Sequence, residues 1–97
     1  MAKFMVECVL RTPPTAEMLA LIPAETARGE ELDRQGVRTG LYVAADLSRV
    51  WQLFDLPSRE EVERVLATFP LHAHLEETIT PLRDASAPPS SGPGAGA

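Results

Sequence analysis

The sequence predicts an α+β fold in the order β-α-β-β-α-β, a four-stranded antiparallel sheet with both helices on one face. Three observations carry this reading. Four short segments show strand-like alternation or a density of aromatic and aliphatic residues, two others place apolar residues at helical spacing, and Pro, Gly and Ser breaks fall at the junctions.

Residues 3–10 alternate Phe4, Val6, Cys8 and Leu10 against Met5, Glu7 and Val9, the period of two of a strand. Thr12-Pro13-Pro14 ends it. A helical pattern begins near Thr15, with Met18, Leu19 and Ile22 on one side. Pro23 has no N–H to donate, so a kink or a fresh start is expected there, with the main helix running to Gln35 and stopping at Gly36. Residues 37–46 and 49–56 read as two strands joined by Asp46-Leu47-Ser48, a connection short enough for a hairpin. Ser58-Arg59-Glu60-Glu61 fits a capping box, and Val62, Val65, Leu66 and Phe69 follow on one face, leaving Glu60, Glu61, Glu63 and Arg64 to water. The last strand covers about residues 74–82. Beyond it, residues 84–97 offer nothing larger than Ala or Pro to bury, so a disordered tail is expected after a single ferredoxin-like domain over residues 1–83.

A chain of 97 residues supports one small core and often gains buried area by oligomerising. Its net charge of −5 argues against nucleic acid, whose phosphates need a basic patch. The start Met-Ala-Lys-Phe-Met-Val lacks the apolar core of a signal peptide, and no apolar run reaches the roughly 18 residues of a membrane span, so a cytoplasmic protein without a membrane partner is expected. Cys8, the lone cysteine, cannot form an internal disulfide and reads as a small buried hydrophobe.

Two helices cover only one side of such a sheet. Met5, Val9, Tyr42, Ala44, Trp51 and Leu53 alternate so as to line the other, an exposed apolar surface that predicts a homodimer. Glu7 shares that face. Burial of a carboxylate among apolar neighbours favours its neutral form and suits a general base; the competing reading places Glu7 near a sheet edge or pairs it with Arg11 or Arg49. His72, His74 and Glu76 lie two apart and point one way if extended, but along a line too straight for a closed metal shell, so no metal is assigned. His74, at cavity-facing parity, is the candidate acid or base partner of Glu7, and His72 is a candidate substrate contact. Tyr42 and Trp51 can form an aromatic wall for a flat ring, or pack a dimer interface. Arg49 on the Trp51 face and Arg38 on the Tyr42 face are candidate carboxylate holders, with surface solubilisation as the alternative. No nucleotide-binding glycine loop, nucleophile elbow or haem motif occurs, so no cofactor is named.

The punctuation of Phe69-Pro70-Leu71-His72-Ala73-His74-Leu75, leading into a strand that closes with Thr80-Pro81-Leu82, resembles the muconolactone delta-isomerase family. Glu25, Ala27, Glu31-Leu32, Arg34, Gly36, Phe54-Asp55 and the opening Phe4-Met5-Val6 also stand at family-like positions. The resemblance implies a dimeric α/β barrel, free of metal and cofactor, that removes a proton from an unsaturated lactone and returns one two carbons away. Such chemistry needs a base, a donor for the enolate oxygen and a cation for the substrate carboxylate. Two departures stand out: a family Trp-Arg pair is replaced by Tyr42-Val43, and two family aromatics by His72 and His74. They point to a less anionic ring compound, in aromatic catabolism or natural-product biosynthesis. The alternatives are a non-catalytic small-molecule-binding protein on the same barrel and a cofactor-free oxygenase.

Overall fold

The computed structural model describes residues 2–85. The expected order is present: strand β1 (Ala2–Leu10), helix α1 (Ala16–Arg34), strands β2 (Arg38–Val43) and β3 (Val50–Leu56), helix α2 (Arg59–Leu66), a 3₁₀ turn (His72–His74) and strand β4 (Leu75–Leu82). The strands form one antiparallel sheet in the order β2-β3-β1-β4. This is the α+β, ferredoxin-like arrangement. The expected disordered tail lies outside the described residues from 86 onward.

Register sorts the side chains into two faces. Phe4, Val6 and Cys8 of β1 stand opposite Phe54, Gln52 and Val50 of β3, and all point toward the helices. Phe4, Val6, Leu32, Phe54, Val62, Leu66 and Phe69 form the core there. Burial of large apolar side chains, worth about 1.5–3 kcal/mol each, is the main stabilising term. On the other face Met5, Glu7 and Val9 alternate with them, and one row runs Thr78, Glu7, Trp51, Tyr42 across the sheet.

Helix α1 starts where Thr15 accepts a hydrogen bond from Met18 N at 3.2 Å. It ends at Gly36, whose φ of 73° allows Val37 N to reach back to Leu32 O at 3.0 Å. No fresh start occurs at Pro23: α1 runs through it as one helix. Pro23 is exposed, so the Leu19 carbonyl that loses its helical donor is left near solvent, which can hydrate it. Ser58 caps α2 by accepting from Glu61 N, as the capping box predicts.

The hairpin departs from simple alternation at two places. A register shift between Arg38 and Gly40 turns Arg38 toward the helices, opposite buried Phe54, while Tyr42 stays on the open face opposite Trp51. Arg38 and Tyr42 therefore do not share a face, because a bulge reverses parity. In the loop, Asp46 accepts from Ser48 N at 3.0 Å, and Leu47 adopts a φ of 65°. The last strand also starts later than expected: His72 N bonds Phe69 O and His74 N bonds Leu71 O, winding this stretch into a turn before β4 begins at Leu75. Among the described residues no helix is long and apolar enough to cross a membrane.

Candidate active site

Helix α1 turns Met18, Glu25, Gly29 and Leu32 inward at spacings of seven, four and three residues. The middle of that stripe carries a carboxylate where a bulky apolar group would stand, and Glu25 borders open space above the sheet. That space is a cavity of about 480 Å³. Leu10, Leu41, Val43, Val50, Phe69 and Leu75 make its apolar wall, and Glu25, Thr26, Arg38, Ser48, Arg49 and Gln52 supply polar groups. An apolar chamber with a few convergent polar groups is the usual form of a small-molecule site.

Glu25 is half-buried, and its Oε1 accepts a hydrogen bond from Leu71 N at 2.9 Å. Burial pushes its carboxyl above the ordinary value, against the opposing pull of the Leu71 N–H, Arg38 and His72. Arg38 crosses the layer from β2. Its Nε and Nη2 donate to the two carboxylate oxygens of Asp33 at 2.7 and 3.0 Å, and its Nη1 donates to Gln52 Oε1 at 3.0 Å. Gly29 makes room for the guanidinium, since a Cβ there would lie 2.6 Å from Nη2. The paired guanidinium in turn pulls Asp33 below its usual value, chiefly through the hydrogen bond. Gln52 Nε2 reaches Cys8 Sγ at 3.6 Å, and burial pushes that thiol up to about 11, so it stays protonated and unreactive at neutral pH.

Of the residues the sequence singled out, Arg49 lies at this cavity, while Glu7, Tyr42 and Trp51 stand on the opposite face of the sheet. Glu7 is ion-paired with Arg49, the competing reading given above. His74 ends the 3₁₀ turn, so strand parity does not govern it; its Nε2 lies 3.7 Å from Glu17 Oε1 at the start of α1. His72 is outside the cavity lining, with Nδ1 2.8 Å from Glu77 Oε1. Among the described residues no group of three or more His, Cys, Asp or Glu is arranged to hold a metal ion. The residues that sequence reasoning passed over as chemistry are Glu25, Gln52 and Glu77. Glu25 had a legible signal, a carboxylate on the inward stripe of α1.

The pairing of this fold with a cavity under α1 can be set beside known proteins. A family model described as muconolactone delta-isomerase matches residues 2–87. The chain belongs to the muconolactone delta-isomerase family. A crystal structure of muconolactone isomerase superposes with a TM-score of 0.75 at 25% sequence identity, over 92% of this chain and 97% of that one. No curated protein sequence matches. Membership of the family agrees with the fold and with the motif carried by residues 69–82.

Proposed function

We propose that this member of the muconolactone delta-isomerase family is a cofactor-independent isomerase that moves a proton on a small, weakly anionic unsaturated lactone or cyclic enone. The observation that carries this reading is Glu25: a half-buried carboxylate on the wall of an apolar cavity, with its proton affinity raised by burial and one oxygen held by a backbone N–H. A carboxylate whose pKa is raised by burial is a stronger base, suited to taking a proton from carbon and giving it back. Glu25 takes the base role that sequence parity gave to Glu7 and His74. Arg38 supplies the electrophile: Nη1 and Nη2 each use one N–H on Gln52 or Asp33, which leaves a second N–H on each for an oxygen on which charge develops.

The apolar wall argues for the body of the substrate. Val43, where the family pattern has the arginine of its Trp-Arg pair, presents a hydrocarbon surface, and Arg38 is already committed to Asp33. Arg49, at the rim and ion-paired with Glu7, is the cation that a polar substituent would draw on. The protein then works as a homodimer, joined through the face that carries Met5, Val9, Tyr42, Trp51 and Leu53, in the cytoplasm.

The test is hydrogen exchange. Unsaturated lactones and cyclic enones incubated with the protein in deuterated water report enolate formation before any product is known. Glu25→Gln is expected to cut exchange about 10²–10⁴-fold, while Glu7→Gln and His74→Ala leave it within a few-fold of wild type. The opposite pattern returns the base role to Glu7 or His74; ligand binding without exchange for any compound favours the non-catalytic binder.

A further inference from the structure

The His72–Glu77 contact joins solvent to the layer that holds the cavity. His72 presents a side chain 44% exposed, whereas that of Glu77 is 9% exposed. Nδ1 is itself buried and lies 2.8 Å from Glu77 Oε1, a contact that becomes an ion pair when the imidazole is protonated. Glu77 pairs with Cys8 across the β1–β4 ladder and therefore shares the helix-facing side of the sheet with a residue of the cavity wall. The 3₁₀ turn fixes the other end of the connection. Leu71, which donates to Glu25 Oε1, is the residue before His72, and the bonds from His72 N to Phe69 O and from His74 N to Leu71 O hold both in one short turn.

We propose that His72, seated on Glu77, is a positioning residue for Glu25: when protonated, its charge holds the Glu25 carboxylate ionised and ready to accept a proton. This rests on Glu25 as the base of the proposed isomerase. The charged groups around the pair number few. Glu25 comes from α1, Arg38 from β2, Glu77 from β4, and Arg11 from just beyond β1; Cys8 of β1 remains a neutral thiol. Arg38 pulls on Glu25 but is bound on two sides by Asp33, and Arg11 acts on Glu77 and donates its Nε–H to Leu75 O. Among these groups only an imidazole ordinarily changes charge between about pH 5 and 8. His72 lowers the proton affinity of both carboxylates, while burial raises both and Glu25 further raises Glu77. A carboxylate that is to act as a base gains from a neighbouring cation in contact with water, since that cation favours its ionised form.

The Leu71 amide gives a readout that needs no substrate, because its N–H is the donor to Glu25. Followed by amide NMR through a pH titration of the whole protein, the part of its shift that Glu25→Gln abolishes reports Glu25 ionisation. His72→Phe is expected to move that midpoint to higher pH, and His72→Lys, which restores a positive charge, to keep it at or below the wild-type value. His72→Gln, polar and neutral, should follow His72→Phe. Equal midpoints in wild type and all three variants would overturn the proposal, as would an upward move with His72→Lys equal to that with His72→Phe, which would mark a packing effect. With a substrate in hand, the pH limb of exchange set by base ionisation should move with the amide midpoint; a limb that stays fixed while the amide moves overturns the catalytic part. If the amide behaves as expected and no compound exchanges, the coupling stands and the isomerase reading fails, so the two are separable.

Discussion

Gly29 is the residue on which the buried arginine depends. A hydrogen in place of a side chain lets the Arg38 guanidinium lie against α1, and a methyl group would meet Nη2, Nη1 and Cζ at 2.6, 2.7 and 2.8 Å. The tip of an arginine can ordinarily move aside, but this one is fixed by bonds to Asp33 and Gln52. Gly29→Ala gains up to about 1 kcal/mol of helix propensity against an overpacking cost of about 1–3 kcal/mol. A net loss of about 1 kcal/mol is expected in denaturant unfolding, with weaker ligand retention; a more stable variant would show that Arg38 yields freely. The same position shows where sequence reading stopped. Glu25 and Gly29 lie on the inward stripe of α1 and were visible as breaks in it, but the bulge after Arg38, which brings the guanidinium beneath Gly29, is marked only by Gly40 inside the strand, a cue that does not say which side chains change face.

At the scale of elements, most of the fold was legible because each junction is marked by a residue with one structural use. Gly36 at positive φ ends α1, Ser58 starts α2, and alternation in β1 correctly divides Phe4, Val6 and Cys8 from Met5, Glu7 and Val9. What failed were inferences that extend a local rule past its range. Pro23 suggested a kink or a fresh start, and the fresh start is absent: the capped start at Thr15 and the buried Met18 and Leu32 keep α1 in one piece. Strand parity was carried back to His74, yet the turn at residues 72–74 interrupts it. The α1–β2 junction is held by Asp33 and Arg38, whose side chains are 47% and 8% exposed. Asp33→Asn leaves a buried guanidinium short of its counter-charge, at a cost of about 1–3 kcal/mol after allowing for the exposure of Asp33. The sign with pH follows from the lowered Asp33 pKa. Its stabilisation is present above the unfolded value of 3.8 and is lost as pH falls through the lower folded value, so wild type and Asp33→Asn should converge in stability in strong acid. A difference that persists undiminished there would mean that the loss is steric.

For the whole molecule the open face of the sheet decides the assembly. One side of the sheet is roofed by α1 and α2, and the other carries Met5, Val9, Trp51 and Leu53 with Tyr42 60% exposed, around the Glu7–Arg49 ion pair. A self-complementary partner is the simplest cover for such a face, because a two-fold axis places each patch on its own copy. On this face Trp51 lies beside Tyr42 and opposite Glu7, where an added carboxylate would be desolvated next to another once a second copy covers it. Trp51→Asp is therefore expected to raise the dimer dissociation constant by at least a hundredfold, about 2.7 kcal/mol. The fold itself should survive, since Trp51 is outside the helix-facing core. Sedimentation equilibrium over a range of concentrations separates the two effects: a folded monomer by circular dichroism is the expected outcome, together with a wild-type melting temperature that rises with protein concentration while that of the variant does not. Wild-type protein that sediments as a monomer at micromolar concentration would remove the dimer, and the open face would then need another partner. The cavity between α1 and the sheet is formed within one chain, so Trp51→Asp should leave the pH response of the Leu71 amide unchanged if the site needs no neighbour.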